Sequence, residues 1–215
     1  GVKWPGRQRA FKEMLIEMDK GVGEILAKVE ALGLSEKTFV FFLSDNGPAG
    51  GSSGPLRGRK GSHWEGGHRV PAIAWWPGKI PAGTTSDALA ISLDLMPTML
   101  AMAGVSVPDK HQLDGIDLTS MITEDKALPA RQLFWNGKAM RDGPWKLILG
   151  GKGNPRIPVG LYHLSEDIGE KDNLAGKHPE RVERMRHRLA EWHREVTKGA
   201  TPQPNSPQPA KGVGP

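Results

Sequence analysis

Residues 38–48 read T-F-V-F-F-L-S-D-N-G-P, and the fold is decided there. Six residues from Thr38 to Leu43 show no alternation of polar and apolar side chains, the pattern of a strand buried on both faces, as in a parallel sheet. The run stops abruptly at Ser44-Asp45-Asn46-Gly47, which places polar groups at the carboxyl end of a central strand. Open α/β sheets bind their ligands at that end. Asp45 offers a carboxylate and Asn46 an amide oxygen, adjacent hard donors that suit Ca²⁺ or Mg²⁺ better than zinc. Taken alone, Asp-Asn-Gly after a strand is more often ordinary turn chemistry.

Working outward, residues 49–71 read A-G-G-S-S-G-P-L-R-G-R-K-G-S-H-W-E-G-G-H-R-V-P, and residues 72–81 read A-I-A-W-W-P-G-K-I-P. A Gly-rich connection of this length is too long for a simple turn, and such loops are usually functional or disordered. Val70 to Trp76 reads as a second buried strand. Four motifs in one order, D-N-G, L-R-G-x-K-G, W-E-G-G-x-R-V-P and W-P-G-x-I, resemble the sulfatase family, arylsulfatase-like enzymes of the alkaline-phosphatase-like superfamily. The resemblance runs roughly from Ala10 to Trp192.

The resemblance implies the C-terminal part of an α/β/α sandwich, followed by a small antiparallel sheet and a C-terminal helix. It implies that Asp45 and Asn46 are calcium ligands and that Lys60 contacts the sulfate oxygens. On residue type alone, Lys60 is a surface lysine in a flexible loop. The family's nucleophile, a formylglycine made from cysteine or serine in a C/S-x-P-S-R motif, is expected in an N-terminal part that this chain does not carry. Ser53-Gly54-Pro55-Leu56-Arg57 imitates that motif, but it has Leu56 in the fourth position and follows D-N-G, so Ser53 is set aside. Relatives that cleave phosphate or phosphonate esters typically carry Asp-His where this chain has Asp45-Asn46, because imidazole suits transition metals. Asn46 therefore favours calcium and sulfate esters. A truncated, non-catalytic binding module is the third reading. By the same resemblance the compartment is periplasmic, secreted or lysosomal.

The 215 residues include no cysteine, which excludes disulfides and thiolate metal sites. A net charge of +5 is spread along the chain and gives no argument for nucleic acid. No apolar run approaches the ~20 residues of a membrane span. The Gly1-Val2-Lys3-Trp4 start, with neither initiator Met nor signal peptide, reads as a piece of a longer protein whose N-terminal part would complete the fold.

Three divisions are expected: 1–125 as part of the catalytic α/β domain, 126–197 as a small α+β subdomain, and 198–215 as a disordered Pro-rich tail. Phe11, Met14, Leu15, Met18, Val22, Ile25, Leu26, Val29 and Leu32 recur at three- and four-residue steps and predict an amphipathic helix stopped by Gly33. Its apolar face is expected in a core, with Gly21 or Gly23 permitting close packing. Ser92 to Gly104 predicts a short helix in which Asp94 is structural, and Asp114 to Leu118 a linker. Short strands are expected at Leu133–Trp135, Ala139–Met140, Trp145–Leu149 and Gly160–His163. A last amphipathic helix from His178 to His193 turns Val182, Met185, Leu189 and Trp192 inward. Glu65 and Arg69 are expected to pair, and His63 and His68 to be exposed or capping.

Overall fold

The computed structural model describes residues 7–108, 110–150 and 159–200. Most of the expected tail therefore lies outside the described residues. The periodic first segment forms helix α1 (Arg7–Ala31), about seven turns at 3.6 residues each. Gly33 ends it at φ 65°, and the Leu34 N–H donates to the Val29 carbonyl at 3.0 Å, the wrapped closure that a left-handed glycine allows. The apolar face of α1 is not in a core among the described residues: Met14 is 70% exposed and Ile25 63%. A Cβ at Gly21 or Gly23 would meet nothing within 4 Å. The close packing expected at these two glycines is absent, and Val22, Leu26 and Val29 are only half-buried.

Strand β1 (Val40–Leu43) pairs with β2 (Ala72–Trp75). The pairing is antiparallel, with Phe41 opposite Ala74 and Phe42 opposite Ile73. This corrects the expectation of a parallel, doubly buried strand. β1 is half-buried throughout, and the first half of β2 is exposed. Among the described residues these two strands hydrogen-bond only to each other, so one edge of each stays unpaired. Continuous apolar runs mark strands meant for burial on both faces, and they do not fix a partner's direction.

Between the strands lies the one-turn helix α2 (Glu65–His68). After them, a 3-10 turn at Ser92–Asp94 leads into α3 (Leu95–Met102), and α4 (Thr119–Glu124) follows. Asp94 is fully buried. Its carboxylate accepts from the Ile91 and Ile116 N–H groups at 2.8 and 3.0 Å and from both Arg131 Nη atoms at 2.7 and 2.8 Å. Every lone pair direction of the carboxylate thus has a donor, which a buried charge requires. Asp114 to Leu118, expected as a linker, is clamped instead. A Cβ at Gly115 would stand 2.1 Å from the Leu93 carbonyl oxygen, and the Leu118 N–H donates to Thr98 Oγ1 at 3.0 Å.

The expected hairpins form one antiparallel sheet in the order β3 (Gln132–Trp135), β4 (Ala139–Asp142), β5 (Trp145–Leu149), β6 (Val159–His163). Asn136 and Gly137 turn the first hairpin with φ of 50° and 61°, left-handed values that Asn-Gly tolerates best. Helix α5 (Pro179–Val196) lies across the sheet. Val182, Met185 and Leu189 pack on Met140, Leu147 and Leu161, with Trp192 partly buried beside them. Each such side chain contributes roughly 1.5–3 kcal/mol by leaving water, so this module holds the best-formed core. Among the described residues no helix is long and apolar enough to cross a membrane.

Candidate active site

Ser44, Asp45 and Asn46 leave β1 as expected, at its carboxyl end. The Ser44 hydroxyl donates to the Asn46 carbonyl at 2.9 Å and holds the turn. Asp45 is exposed and Asn46 half-buried. Lys60 is also exposed, fourteen positions further along. Its backbone N–H donates to the Pro48 carbonyl at 3.2 Å. The long loop thus folds back so that Lys60 starts beside the turn that carries Asp45 and Asn46.

Glycine makes that close return possible. The Gly47 N–H donates to the Gly67 carbonyl at 2.9 Å. A Cβ on Gly47 would lie 1.8 Å from the Gly66 carbonyl oxygen, and a Cβ on Gly67 would lie 2.0 Å from that of Ser62. Real Cβ atoms cannot approach so closely, so the Asp-Asn-Gly turn and α2 meet backbone to backbone. The Gly66 N–H donates to the Arg57 carbonyl at 2.8 Å, which fixes the middle of the loop on the same helix.

Helix α2 is in turn anchored by its first residue. Glu65 is 1% exposed. Its Oε1 accepts from Lys146 Nζ of β5 at 2.8 Å. Glu170 accepts the Glu65 backbone N–H at 2.7 Å through Oε2, and its Oε1 stands 2.8 Å from the same Lys146 Nζ. The expected Glu65–Arg69 pair is present at 3.7 Å, and Arg141 stands equally far from Glu65 Oε2, but Lys146 is the close partner. Arg57 donates to the Glu170 carbonyl at 2.6 Å and lies over the Trp64 ring, 3.8 Å from its centroid.

His68 corrects the expectation of an exposed or capping histidine. It is largely buried and stacks on Trp135 at 4.3 Å between centroids. Nε2 lies 3.3 Å from Glu65 Oε1 and 3.4 Å from Lys146 Nζ. Burial lowers its pKa below the ordinary 6.5, and the Lys146 charge adds to that against the pull of Glu65. A neutral ring can accept from Lys146 at Nε2, whereas an imidazolium would face an ammonium. His63 is half-buried, and its pKa is also lowered, by burial first and then by His68, Lys146 and Lys138. Burial works to raise the Glu65 pKa, but hydrogen bonds and charge from His68 and Lys146 outweigh it and hold the carboxyl well below the usual range. Burial dominates at Glu170 and raises its pKa. The two carboxylates around one ammonium are thus shifted in opposite directions, Glu65 down and Glu170 up.

For a cation, the donors fit in kind. Asp45 and Asn46 bring a carboxylate and an amide, both oxygen donors, from consecutive residues on an accessible turn. They do not fit in number, because a calcium ion takes 6–8 oxygens. Among the described residues, no group of three or more His, Cys, Asp and Glu side chains gathers as a metal cluster.

The family model described as Sulfatase matches residues 9–105. Arylsulfatase A of Bos taurus is 38% identical over 209 residues, covering 81% of this chain and 41% of the relative. N-acetylgalactosamine-6-sulfatase of Canis lupus familiaris is 50% identical over 115 residues, covering 50% of this chain and 22% of the relative. Among solved structures, Ps i-CgsB superposes with a TM-score of 0.76 at 27% identity, over 89% of this chain and 44% of that one. The PsFucS1 sulfatase from Pseudoalteromonas sp. gives 0.71 at 26% identity, over 90% and 43%. The chain spans about two fifths of the length of the curated arylsulfatase A that it matches. The expected fold class holds: a mixed α/β part shared with sulfatases, then a small antiparallel sheet and a C-terminal helix.

Proposed function

This chain belongs to the sulfatase family, and on that premise we propose that it supplies Lys60, Asp45 and Asn46 to a site that hydrolyses sulfate esters. The observation that carries the reading is the return of the Gly-rich loop, whose Lys60 N–H meets the Pro48 carbonyl at 3.2 Å next to the Asp-Asn-Gly turn. A lysine and two oxygen donors on adjoining backbone are what an anionic ester and a hard cation need. The Lys60 ammonium neutralises sulfate oxygens on which negative charge grows as the ester bond breaks. Asp45 and Asn46 would hold calcium, which when bound supplies the second positive centre on those oxygens.

The nucleophile is formylglycine by family expectation, and it would come from polypeptide beyond residues 1–215. Ser53 is no substitute in this reading. Its hydroxyl donates to the Gly58 carbonyl at 2.9 Å inside the loop. The same longer polypeptide would cover the apolar face of α1 and the exposed Ile73, Leu93 and Met96. Uncovered apolar surface on this scale marks an interface.

Asn46 separates this reading from a phosphate- or phosphonate-ester hydrolase, for which an imidazole at that position would suit a transition metal. The test is hydrolysis of an aryl sulfate against the matching aryl phosphate by an enzyme that contains this segment, with calcium present. Preference for the sulfate supports the assignment. Preference for the phosphate overturns it.

A further inference from the structure

We propose that Glu65, gripped by Lys146 and Glu170, is the positioning residue through which the four-stranded sheet sets the Asp45–Asn46 turn and Lys60. The proposal rests on the reading of Asp45, Asn46 and Lys60 as site residues. It adds a cause for their placement that lies in another part of the fold.

The path is continuous and short. Lys146 sits in β5, fully buried, and its Nζ stands 2.8 Å from a carboxylate oxygen of both Glu65 and Glu170. Glu170 closes the ring by accepting the Glu65 backbone N–H at 2.7 Å, so Glu65 is held at its side chain and at its main chain. Glu170 itself adopts φ 52°, a left-handed conformation that a non-glycine residue keeps only when its surroundings fix it. Glu65 opens α2, and the next two residues are the glycines that meet the active turn. The Gly67 carbonyl accepts from Gly47 at 2.9 Å, and the Gly66 N–H donates to Arg57 at 2.8 Å. The Pro48 carbonyl, one residue past Gly47, receives the Lys60 N–H at 3.2 Å.

No side chain cushions these steps. Where a Cβ would already collide at 1.8 to 2.6 Å, a shift of α2 must be passed on to the Gly47 turn and to the Arg57–Gly58 backbone. An ion pair in an ordinary surface turn has no such consequence. The Glu65 position matters for Lys60 because rigid backbone contact transmits it. Glu65 touches neither substrate nor metal, so it acts through the turn and the loop.

The experiment is residue-resolved amide hydrogen exchange on the full chain, without ligand, comparing the wild type with Glu65→Gln and Lys146→Arg. Glu65→Gln keeps the side chain's size and removes the charge. Lys146→Arg keeps the charge and moves the donors. We expect the Gly47, Lys60 and Gly66 amides to exchange at least about tenfold faster in either variant, while β4 and β5 amides change less than about twofold. Unchanged loop amides in both variants overturn the proposal. Equal acceleration of loop and sheet amides also overturns it, because Glu65 then serves only global stability. If one variant does not fold, the other decides. The site reading is judged separately by titrating sulfate into the wild-type chain and following the Lys60 amide. Coupling without any sulfate response leaves the latch standing and removes the assignment of Lys60.

Discussion

Glu65 and Lys146 are 81 positions apart in the chain and 2.8 Å apart in the structure. Neither makes sense alone. An ammonium with no solvent exposure must be paired, and a buried carboxylate at the start of a one-turn helix must find donors beyond its own backbone. Together with Glu170 they tie the hairpin sheet to the loop that carries Lys60.

Breaking this group should cost far more than breaking a surface pair. Removing one partner of a buried ion pair typically destabilises by about 3–5 kcal/mol, because the other charge stays buried. We expect Lys146→Met to lose stability in that range in urea titrations monitored by tryptophan fluorescence. The double variant Lys146→Met/Glu65→Gln should recover part of the loss. A loss in the single variant below about 1 kcal/mol would mean that water already solvates Lys146.

The pH dependence has a definite sign. The His68 pKa is lowered in the folded chain, chiefly by burial, so the unfolded chain binds the extra proton first as the pH falls. Its stabilising contribution is complete above the unfolded value near 6.5 and is lost as the pH falls from there through the folded value. The slope cannot exceed about 1.4 kcal/mol per pH unit, the effect of one proton. Glu170 acts oppositely. Its raised pKa makes the folded chain hold a proton longer, so its contribution is present below about 4.3 and fades as the pH rises through the folded value. Thermal melts from pH 7 to 5 should show a steeper loss for the wild type than for His68→Gln. Parallel curves would show that His68 does not titrate in this window.

Two glycine substitutions should act in opposite directions. Gly21 lies within α1, and a Cβ there meets nothing within 4 Å. Gly21→Ala is expected to stabilise the described chain by about 0.5–1 kcal/mol through helix propensity. Gly47→Ala must force the turn away from α2, where the Cβ would stand 1.8 Å from a carbonyl oxygen. Overpacking of this kind costs about 1–3 kcal/mol. The chain melting temperatures would rank the two, and a reversed order would contradict the backbone contact between the turn and α2.

The sequence made local structure legible where one residue type answers one local demand. Gly33 stops α1 because only a left-handed residue closes it. Asn136-Gly137 turns a hairpin for the same reason, and the α5 stripe of Val182, Met185 and Leu189 finds its sheet. What depends on partners far along the chain was not legible. Glu65 looked like half of a local pair with Arg69, because Lys146 and Glu170 lie 81 and 105 positions away. His68 looked exposed, since no local pattern announces Trp135 as a stacking partner. The direction of β1 is not legible either, because an apolar run reports burial and says nothing of pairing, which here is antiparallel. The order of D-N-G, L-R-G-x-K-G and W-E-G-G did identify the turn and loop that the structure brings together at Pro48 and Lys60.

The most direct measurement is turnover of a chromogenic aryl sulfate, with calcium present, by a sulfatase containing this segment, compared with its Lys60→Ala variant. Removing a preorganised charge from a transition state lowers turnover by about 10²–10³. We expect at least that loss in kcat, with amide exchange in β4 and β5 unchanged. Turnover within a few-fold of the unsubstituted enzyme would contradict the assignment of Lys60, and with it the claim that this chain contributes to a sulfate-ester site.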